Sequence, residues 1–564
     1  MKQPLAIGVE DYKSIIDKNY YYVDKSLLMK DLIDKSGSVN LFTRPRRFGK
    51  TLALSMLKTF FEAEVDKNGN VIDNSHYFKG MKIMDCGKSY LAWMGRYPVI
   101  SLSLKSAKQP DFSLAFEMIK RQIMREFDRH SYVLNCDELN CEQRERYEKI
   151  TYGVDEAALY TDALQFLSDC LKKYHKEKVI ILLDEYDVPL ENGYFRGFYD
   201  EMSDFIRSLF ESALKTNENL EFAVITGCLR ISRESIFTGL NNLKSISLMD
   251  NSYACYFGFT SKEVRKMLEE YKIQDKMDIV KLWYDGYLIG DKEMYNPWSV
   301  INYVDDVAMG NAKYPKPYWS NTSSNHIIRE LIEKADPGVK KEIEELVAGK
   351  CIKKPVHEDI TYADIYKSQD NLWNFLFFTG YLKMEEQFFE DDTIYLTLKI
   401  PNAEIRYIYR NTIKDWFQEQ LKQVDFSKFY EALLKKETEG IEEFLSDQLA
   451  QSISYYDNKE SFYHGYLLGI LSGLAGYEIH SNKEAGLGRP DILLKPYRPQ
   501  KTTVIIELKV AKQFTEMDRL CDAALKQIED KKYALELKKE GYLNIIKYGI
   551  CFCKKSCMVK VYPN

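Results

Sequence analysis

The stretch Val39-Asn-Leu-Phe-Thr43-Arg44-Pro-Arg46-Arg47-Phe-Gly49-Lys50-Thr51 decides how the first half of this chain reads. Val39–Thr43 has the apolar character of a strand, and residues 52–62 have that of a helix. The loop between them closes on Gly-Lys-Thr. Strand, such a loop and helix make an anion site. Backbone N–H groups at the helix N-terminus point at the ligand, Lys50 reaches β- and γ-phosphates, and the Thr51 hydroxyl meets Mg²⁺. In the pattern G-x(4)-G-K-[ST], Arg44 stands where the first glycine belongs. Arg44, Arg46 and Arg47 are expected to add positive charge around phosphates or a nucleic acid.

Further along, Lys178-Val-Ile-Ile-Leu-Leu-Asp184-Glu185-Tyr-Asp187 is an apolar run ending in acids. Buried parallel strands have this composition, and their carboxyl ends face ligands in doubly wound sheets. In an ATP site Asp184 would hold the Mg²⁺ shell and Glu185 would polarise the attacking water. The alternative is that both acids open a helix and favour its dipole. Leu220–Gly227 reads as another strand. Its Thr226 either presents a hydroxyl near the γ-phosphate or serves as a turn residue. Arg230 and Arg233 either answer transition-state charge or are solvated, and Asp24-Lys25 reads as a surface pair. With a further strand at Pro98–Leu104, strand and helix signals alternate as in an α/β sheet.

The second chemical signal lies near the other end, in GRPDILLKPYRPQKTTVIIELKVAK, residues 488–512. It reads D-x(15)-E-x-K across a predicted hairpin: Asp491 opens one apolar strand, and Thr502–Leu508 forms another that ends in Glu507-Leu-Lys509. Period-two alternation puts Glu507 and Lys509 on one face. Two carboxylates and an ammonium are costly to bury without a purpose, and a divalent cation between the carboxylates offsets that cost. Glu460 on the preceding predicted helix is a further metal candidate or a solvated helix acid. His464, one turn on, is a candidate or a hydrogen-bonded core histidine. Gln527, Glu484 and Arg489 are candidates to touch the site or line a groove. Lys483, Lys495, Arg498, Lys501 and Lys512 are candidates to neutralise phosphates, extended by lysines of the last helix and strands.

Bulk properties narrow the setting. At 564 residues more than one core is expected. The net charge of −6 argues against a uniformly basic coat and leaves a local basic groove open. Eleven cysteines form no tight framework and no signal peptide is legible, so a reducing cytoplasm is the expected setting. Strand alternation around a turn accounts for Cys551-Phe-Cys553 and Cys557 without zinc. No run approaches a membrane span.

In order, RPRRFGKT, LLDEYD, ITG and FTGLNN resemble an AAA-ATPase-like family found in bacterial proteins. Tyr21-Tyr-Val-Asp24-Lys25-Ser26, Trp283-Tyr-Asp-Gly-Tyr287 and Tyr295-Asn-Pro-Trp298 fit it too. The resemblance covers about residues 1–300. It implies a P-loop NTPase fold binding ATP, with Lys50, Thr51, Asp184 and Glu185 at matching positions and Arg tolerated at the first glycine. Residues 456–564 resemble the PD-(D/E)xK nuclease superfamily, with its αβββαβ core. That resemblance implies Mg²⁺ on Asp491 and Glu507, with Lys509 placing the water.

The expectation is an α/β chain in three parts: a P-loop NTPase sheet domain (1–290), a helical or winged-helix-like connector (291–455), and a PD-(D/E)xK domain (456–564). The candidate nucleotide residues are Arg46, Gly49, Lys50, Thr51, Asp184 and Thr226, with Glu185 catalytic. The candidate nuclease residues are Glu460, Asp491, Glu507 and Lys509. ATP and Mg²⁺ are the implied cofactors, and DNA is the implied partner by analogy. No membrane partner is expected, and a homo-oligomer is compatible with the reading. The alternative function is a nucleotide-gated switch or binding protein whose nuclease-like domain does not cut.

Overall fold

Val39–Thr43 (β1) is buried along its whole length and pairs in parallel on both sides. Its sheet also contains β2 (Val99–Ser103), β3 (Val179–Asp184), β4 (Leu220–Gly227) and β5 (Leu243–Ile246), in the order β2-β3-β4-β1-β5. All its pairings are parallel. Continuous apolar runs such as Val-Ile-Ile-Leu-Leu suit strands covered on both faces. This order sets the carboxyl ends of β1, β4 and β3 side by side, where such sheets bind ligands.

The computed structural model describes the chain apart from residues 1, 36, 67–68, 231–235, 238–239, 312–313, 322–327, 330–336, 357–367, 423–424, 452–459, 472, 482–489 and 564. Arg233, Lys483, Glu484 and Arg489 lie outside the described residues. The chain divides into two compact units, 1–324 with 351–407, and 325–350 with 408–564. The stretch 291–455, expected as a connector, is thus shared between them. One reason is the buried Glu404 carboxylate, which accepts from Ser299 Oγ (2.8 Å) and the Trp319 N–H (2.8 Å) within the first unit.

That first unit also holds a small sheet of β6 (Phe259–Thr260), β7 (Tyr287–Ile289) and β8 (Lys292–Tyr295), followed by helix Pro297–Ala308. A second small sheet is built from β9 (Ile352–Pro355), β10 (Lys383–Glu390) and β11 (Thr393–Lys399). Asp391 and Asp392 join the last two with positive φ at both positions, the tight-turn geometry that matches strand twist.

The second unit carries a mixed sheet of β12 (Tyr477–Ser481), β13 (Ile492–Pro496), β14 (Thr503–Val510), β15 (Ile545–Cys553) and β16 (Ser556–Val561), in that order. Only β14 and β15 run parallel. Alternation on β13 and β14 divides the core. Leu494, Ile506 and Leu508 pack with Tyr463 and Leu467 of helix Glu460–Leu471, while Leu493 and Ile505 pack with Leu525 and Ile528 of helix Met517–Asp530. The helical stretch after β14 is broken: Met517–Asp530 ends, Lys532 turns left-handed (φ 55°), and Tyr533–Lys539 restarts. The break lets Tyr533 and Leu537 bury against the same core. The cysteines are free thiols. Among the described residues no helix is long and apolar enough to cross a membrane.

Candidate functional sites

Gly49 caps helix Lys50–Phe61 with φ 81°, a left-handed conformation that costs glycine little. The turn aims the Lys50 ammonium back across its own loop, where it donates to Arg44 O (2.8 Å) and Pro45 O (2.9 Å). Thr51 donates to Asp184 Oδ2 (2.7 Å), and Thr226 donates to Asp184 Oδ1 (2.5 Å). Both hydroxyls therefore converge on one buried carboxylate at the end of β3. Thr226 is the penultimate residue of β4 and fully buried, so it is not a turn residue.

Glu185 does not open a helix. It sits at φ 52°, a conformation that costs a non-glycine residue about 1–3 kcal/mol and persists only where its surroundings enforce it. Its neighbours are clamped to the end of β4: Tyr186 N–H donates to Thr226 O (3.1 Å), and Asp187 accepts from the N–H groups of Cys228 (2.7 Å) and Leu229 (3.1 Å). Burial, then the Asp184 charge, raises the Glu185 carboxyl above the usual glutamate range. Burial likewise raises Asp187. A cavity of about 360 Å³ opens over the loop, lined by Arg46, Arg47, Lys50, Thr51, Glu185 and Asp187 among others.

Arg44 does not surround phosphates. It is fully buried, and its Nη1 donates to Thr43 O (2.8 Å), Ile246 O (3.0 Å) and Ser247 O (2.8 Å), tying β1 to the end of β5. Burial lowers its guanidinium to about 10. Asp24 and Lys25 are not a surface pair. Lys25 lines the cavity and donates to Glu263 (2.7 Å) and Cys255 O (2.7 Å), while Asp24 accepts from the N–H groups of Ser26 and Lys82. The YYVDKS motif held Lys25 in view, but its partner is 238 residues away. Arg46 does line the cavity, paired with Glu191, and Arg230 is half-buried just beyond β4.

In the second unit, Asp491 Oδ2 accepts from the Leu508 N–H (2.8 Å), which places it beside Glu507 at the end of β14. Glu507 is buried. Its Oε1 meets Gln527 Nε2, and Lys509 Nζ lies 3.5 Å away on the same strand face. Its Oε2 is buried with no hydrogen-bond partner among the described residues. Burial, then the Asp491 charge, pushes the Glu507 carboxyl up to about 7, with Lys509 opposing. Gln527 reaches the site because its helix packs unusually close to β15. Gly549 faces Glu507 in register, and a Cβ there would come within 2.5 Å of Cys521 O. Tyr533, which sequence reasoning did not single out, is buried nearby and is raised by burial and then by the Glu507 charge.

His464 Nε2 donates to Asp491 O (2.9 Å), with Ser481 Oγ at 3.1 Å, so it fixes backbone at the site. Glu460, four residues earlier, opens its helix and faces solvent, about 6 Å back along the axis. Among the described residues no group of three His, Cys, Asp or Glu side chains gathers, so Glu460 does not join Asp491 and Glu507. Arg498, Lys501 and Lys512 are exposed. Lys495, Lys547 and Lys560 are instead neutralised by Glu540, Glu529 and Asp518 with Asp522.

These two centres define a class: a P-loop sheet with acids at its carboxyl edge, and a mixed sheet carrying a D…ExK constellation. Residues 6–237 match the family described as predicted AAA-ATPase, and residues 458–562 match the PD-(D/E)XK nuclease superfamily. The chain thus carries an AAA-ATPase-like domain and a C-terminal PD-(D/E)XK nuclease superfamily domain. It is similar to a protein of Azotobacter chroococcum mcd 1 described as an uncharacterized protein in the vnfD 5′ region, at 26% identity over 336 residues. The match covers 59% of this chain and 56% of that relative, so the chain spans about half the length of the curated relative it matches.

Proposed function

We propose that this chain binds and hydrolyses ATP and couples it to metal-dependent cleavage of phosphodiester bonds in DNA. The observation that carries the reading is the Glu507 carboxylate: buried, beside Asp491 and Lys509, with Oε2 unpartnered among the described residues. Two acids pressed together, with the buried Glu507 at a raised proton affinity, fit a divalent cation better than they fit each other. When bound by Asp491 and Glu507, Mg²⁺ supplies positive charge for the phosphate under attack. Lys509 Nζ orients or deprotonates the attacking water, and Gln527 holds Glu507 in place.

In the first unit the residues fit MgATP in the same sense. Lys50 exchanges its loop carbonyls for β- and γ-phosphate oxygens, and Thr51 and Asp184 hold the cation. Glu185 polarises the attacking water, Thr226 orients Asp184, and Arg46 adds charge at the cavity wall. We assign the nucleotide-binding region to 1–290 and the nuclease-like region to 456–564 on the strength of the motifs, with the intervening 291–455 divided between the two compact units. ATP binding or turnover then governs the nuclease.

The test pairs wild type with Lys50→Ala and Lys509→Ala. ATP hydrolysis and cleavage of plasmid, linear and single-stranded DNA are measured with Mg²⁺ or Mn²⁺. Lys509→Ala is expected to lose cleavage and keep ATP turnover; wild-type cutting by both variants rejects both site assignments. A second reading, a nucleotide-gated binding protein that does not cut, is favoured by the gathering of only two acids among the described residues. Metal-dependent DNA binding without product would select it.

A further inference from the structure

The cavity over the Gly49 loop offers more apolar surface than a phosphate chain needs. Beyond Lys50 and Thr51 its wall includes Val9, Tyr21, Phe259, Pro297, Trp298 and Ile301. The Tyr295-Asn-Pro-Trp298 motif has no part in the phosphate chemistry, yet its last residue is held with care. Asn296 caps helix Pro297–Ala308 by accepting from the Ser299 N–H (3.3 Å), and Pro297 presets the first turn. The Trp298 indole N–H donates to Tyr318 O (3.3 Å), which fixes the plane of the ring. Arg47, two residues before Gly49, takes φ 68° and lays its guanidinium 4.4 Å from the indole centroid. A cation–aromatic pair thus stands at the lip of the phosphate loop.

We infer that Trp298 and Arg47 form the base-binding site of the nucleotide, taking a purine ring while its phosphates reach Lys50 and Thr51. This rests on the nucleotide reading above and adds the residues that hold the base. An inorganic phosphate would leave the aromatic wall unused. With the Arg47 guanidinium lying over one face of the indole, a flat heterocycle stacks on the plane of that guanidinium–indole pair, and the two fused rings of a purine cover more of it than a pyrimidine does. The volume of about 360 Å³ falls within the range of small-ligand pockets.

The test is calorimetric titration of the full chain with MgATP, MgCTP and magnesium tripolyphosphate, in wild type, Trp298→Ala, Trp298→Phe and Lys50→Ala. Trp298→Ala is expected to weaken ATP about tenfold and leave tripolyphosphate unchanged. Trp298→Phe, which retains an aromatic face and serves if the alanine variant fails to fold, binds ATP between the two. Wild type prefers ATP to CTP, and Lys50→Ala weakens ATP and tripolyphosphate together. Undiminished ATP affinity in both Trp298 variants overturns the inference, as does an equal loss of ATP and tripolyphosphate, while the phosphate site stands. If wild type binds neither ligand, the phosphate reading falls and the base site falls with it.

Discussion

Thr51 and Asp184 are 133 residues apart in the chain and joined by a 2.7 Å hydrogen bond across the carboxyl edge of the parallel sheet. Thr226 donates to the other oxygen of the same carboxylate. Replacing Thr226 by Val keeps its shape and strips that donor. The expected loss is about 1–3 kcal/mol of unfolding free energy, because Asp184 is left buried and half-satisfied. Urea denaturation measures it. Adding MgATP should recover part of the loss, since a cation re-satisfies the freed oxygen.

Arg44 supports the loop from beneath rather than facing the ligand. Arg44→Met keeps most of the volume and takes its donor from the carbonyls of Thr43 and Ile246, while Ser247 O keeps only the Asp250 N–H (3.4 Å). Relief of a buried charge opposes this, but unsatisfied backbone acceptors dominate, and a net fall of about 1–3 kcal/mol is expected. Tripolyphosphate affinity should barely change in Arg44→Met and should weaken in Arg46→Met. The opposite order in calorimetry would place Arg44 at the phosphates after all.

The Glu507 carboxyl, raised to about 7, makes the second unit sensitive to pH. The folded state binds this proton more tightly than the unfolded chain does. Its contribution to stability is therefore full below the ordinary glutamate range and is lost as pH rises to about 7. Glu507→Gln should flatten that slope in metal-free thermal melts. Metal needs the ionised form, so Mg²⁺ or Mn²⁺ binding at pH 6 should release about one proton, and far less at pH 8. Titration in buffers of different ionisation enthalpy reads the proton count; equal release at both pH values would contradict the assignment.

Gly549 sets how closely helix Met517–Asp530 approaches the sheet. Gly549→Ala would press a Cβ into Cys521 O and the Leu525 side chain. Overpacking of this kind costs about 1–3 kcal/mol. Because the same helix carries Gln527 to Glu507, cleavage should fall more than stability alone explains. Cleavage assays well below the unfolding midpoint separate the two effects.

The strands that carry the chemistry were legible because their signals are local. Val39–Thr43, Val179–Asp184 and Thr503–Val510 are short β-branched or leucine runs whose burial follows from composition, and Glu507 and Lys509 share a face by alternation alone. Lys532 was not legible. A left-handed break between two good helix formers is enforced by the need to bury Tyr533 and Leu537, which only the packed sheet reveals. Glu460 stands exposed at the start of its helix, since helical periodicity gives a face and the distance along the axis depends on where the helix docks.

Local signals were enough to read the two large sheets, the loop at Gly49-Lys50-Thr51, and the acids and lysine at residues 491, 507 and 509, because turn chemistry and hydrophobic period act over a few residues. Only tertiary structure decided what those groups touch. It sent Arg44 into the core, gave Lys25 to Glu263, closed Thr226 onto Asp184 and laid Arg47 on Trp298. Charges and hydroxyls choose partners by proximity and dielectric, and those exist only once distant strands and helices have packed.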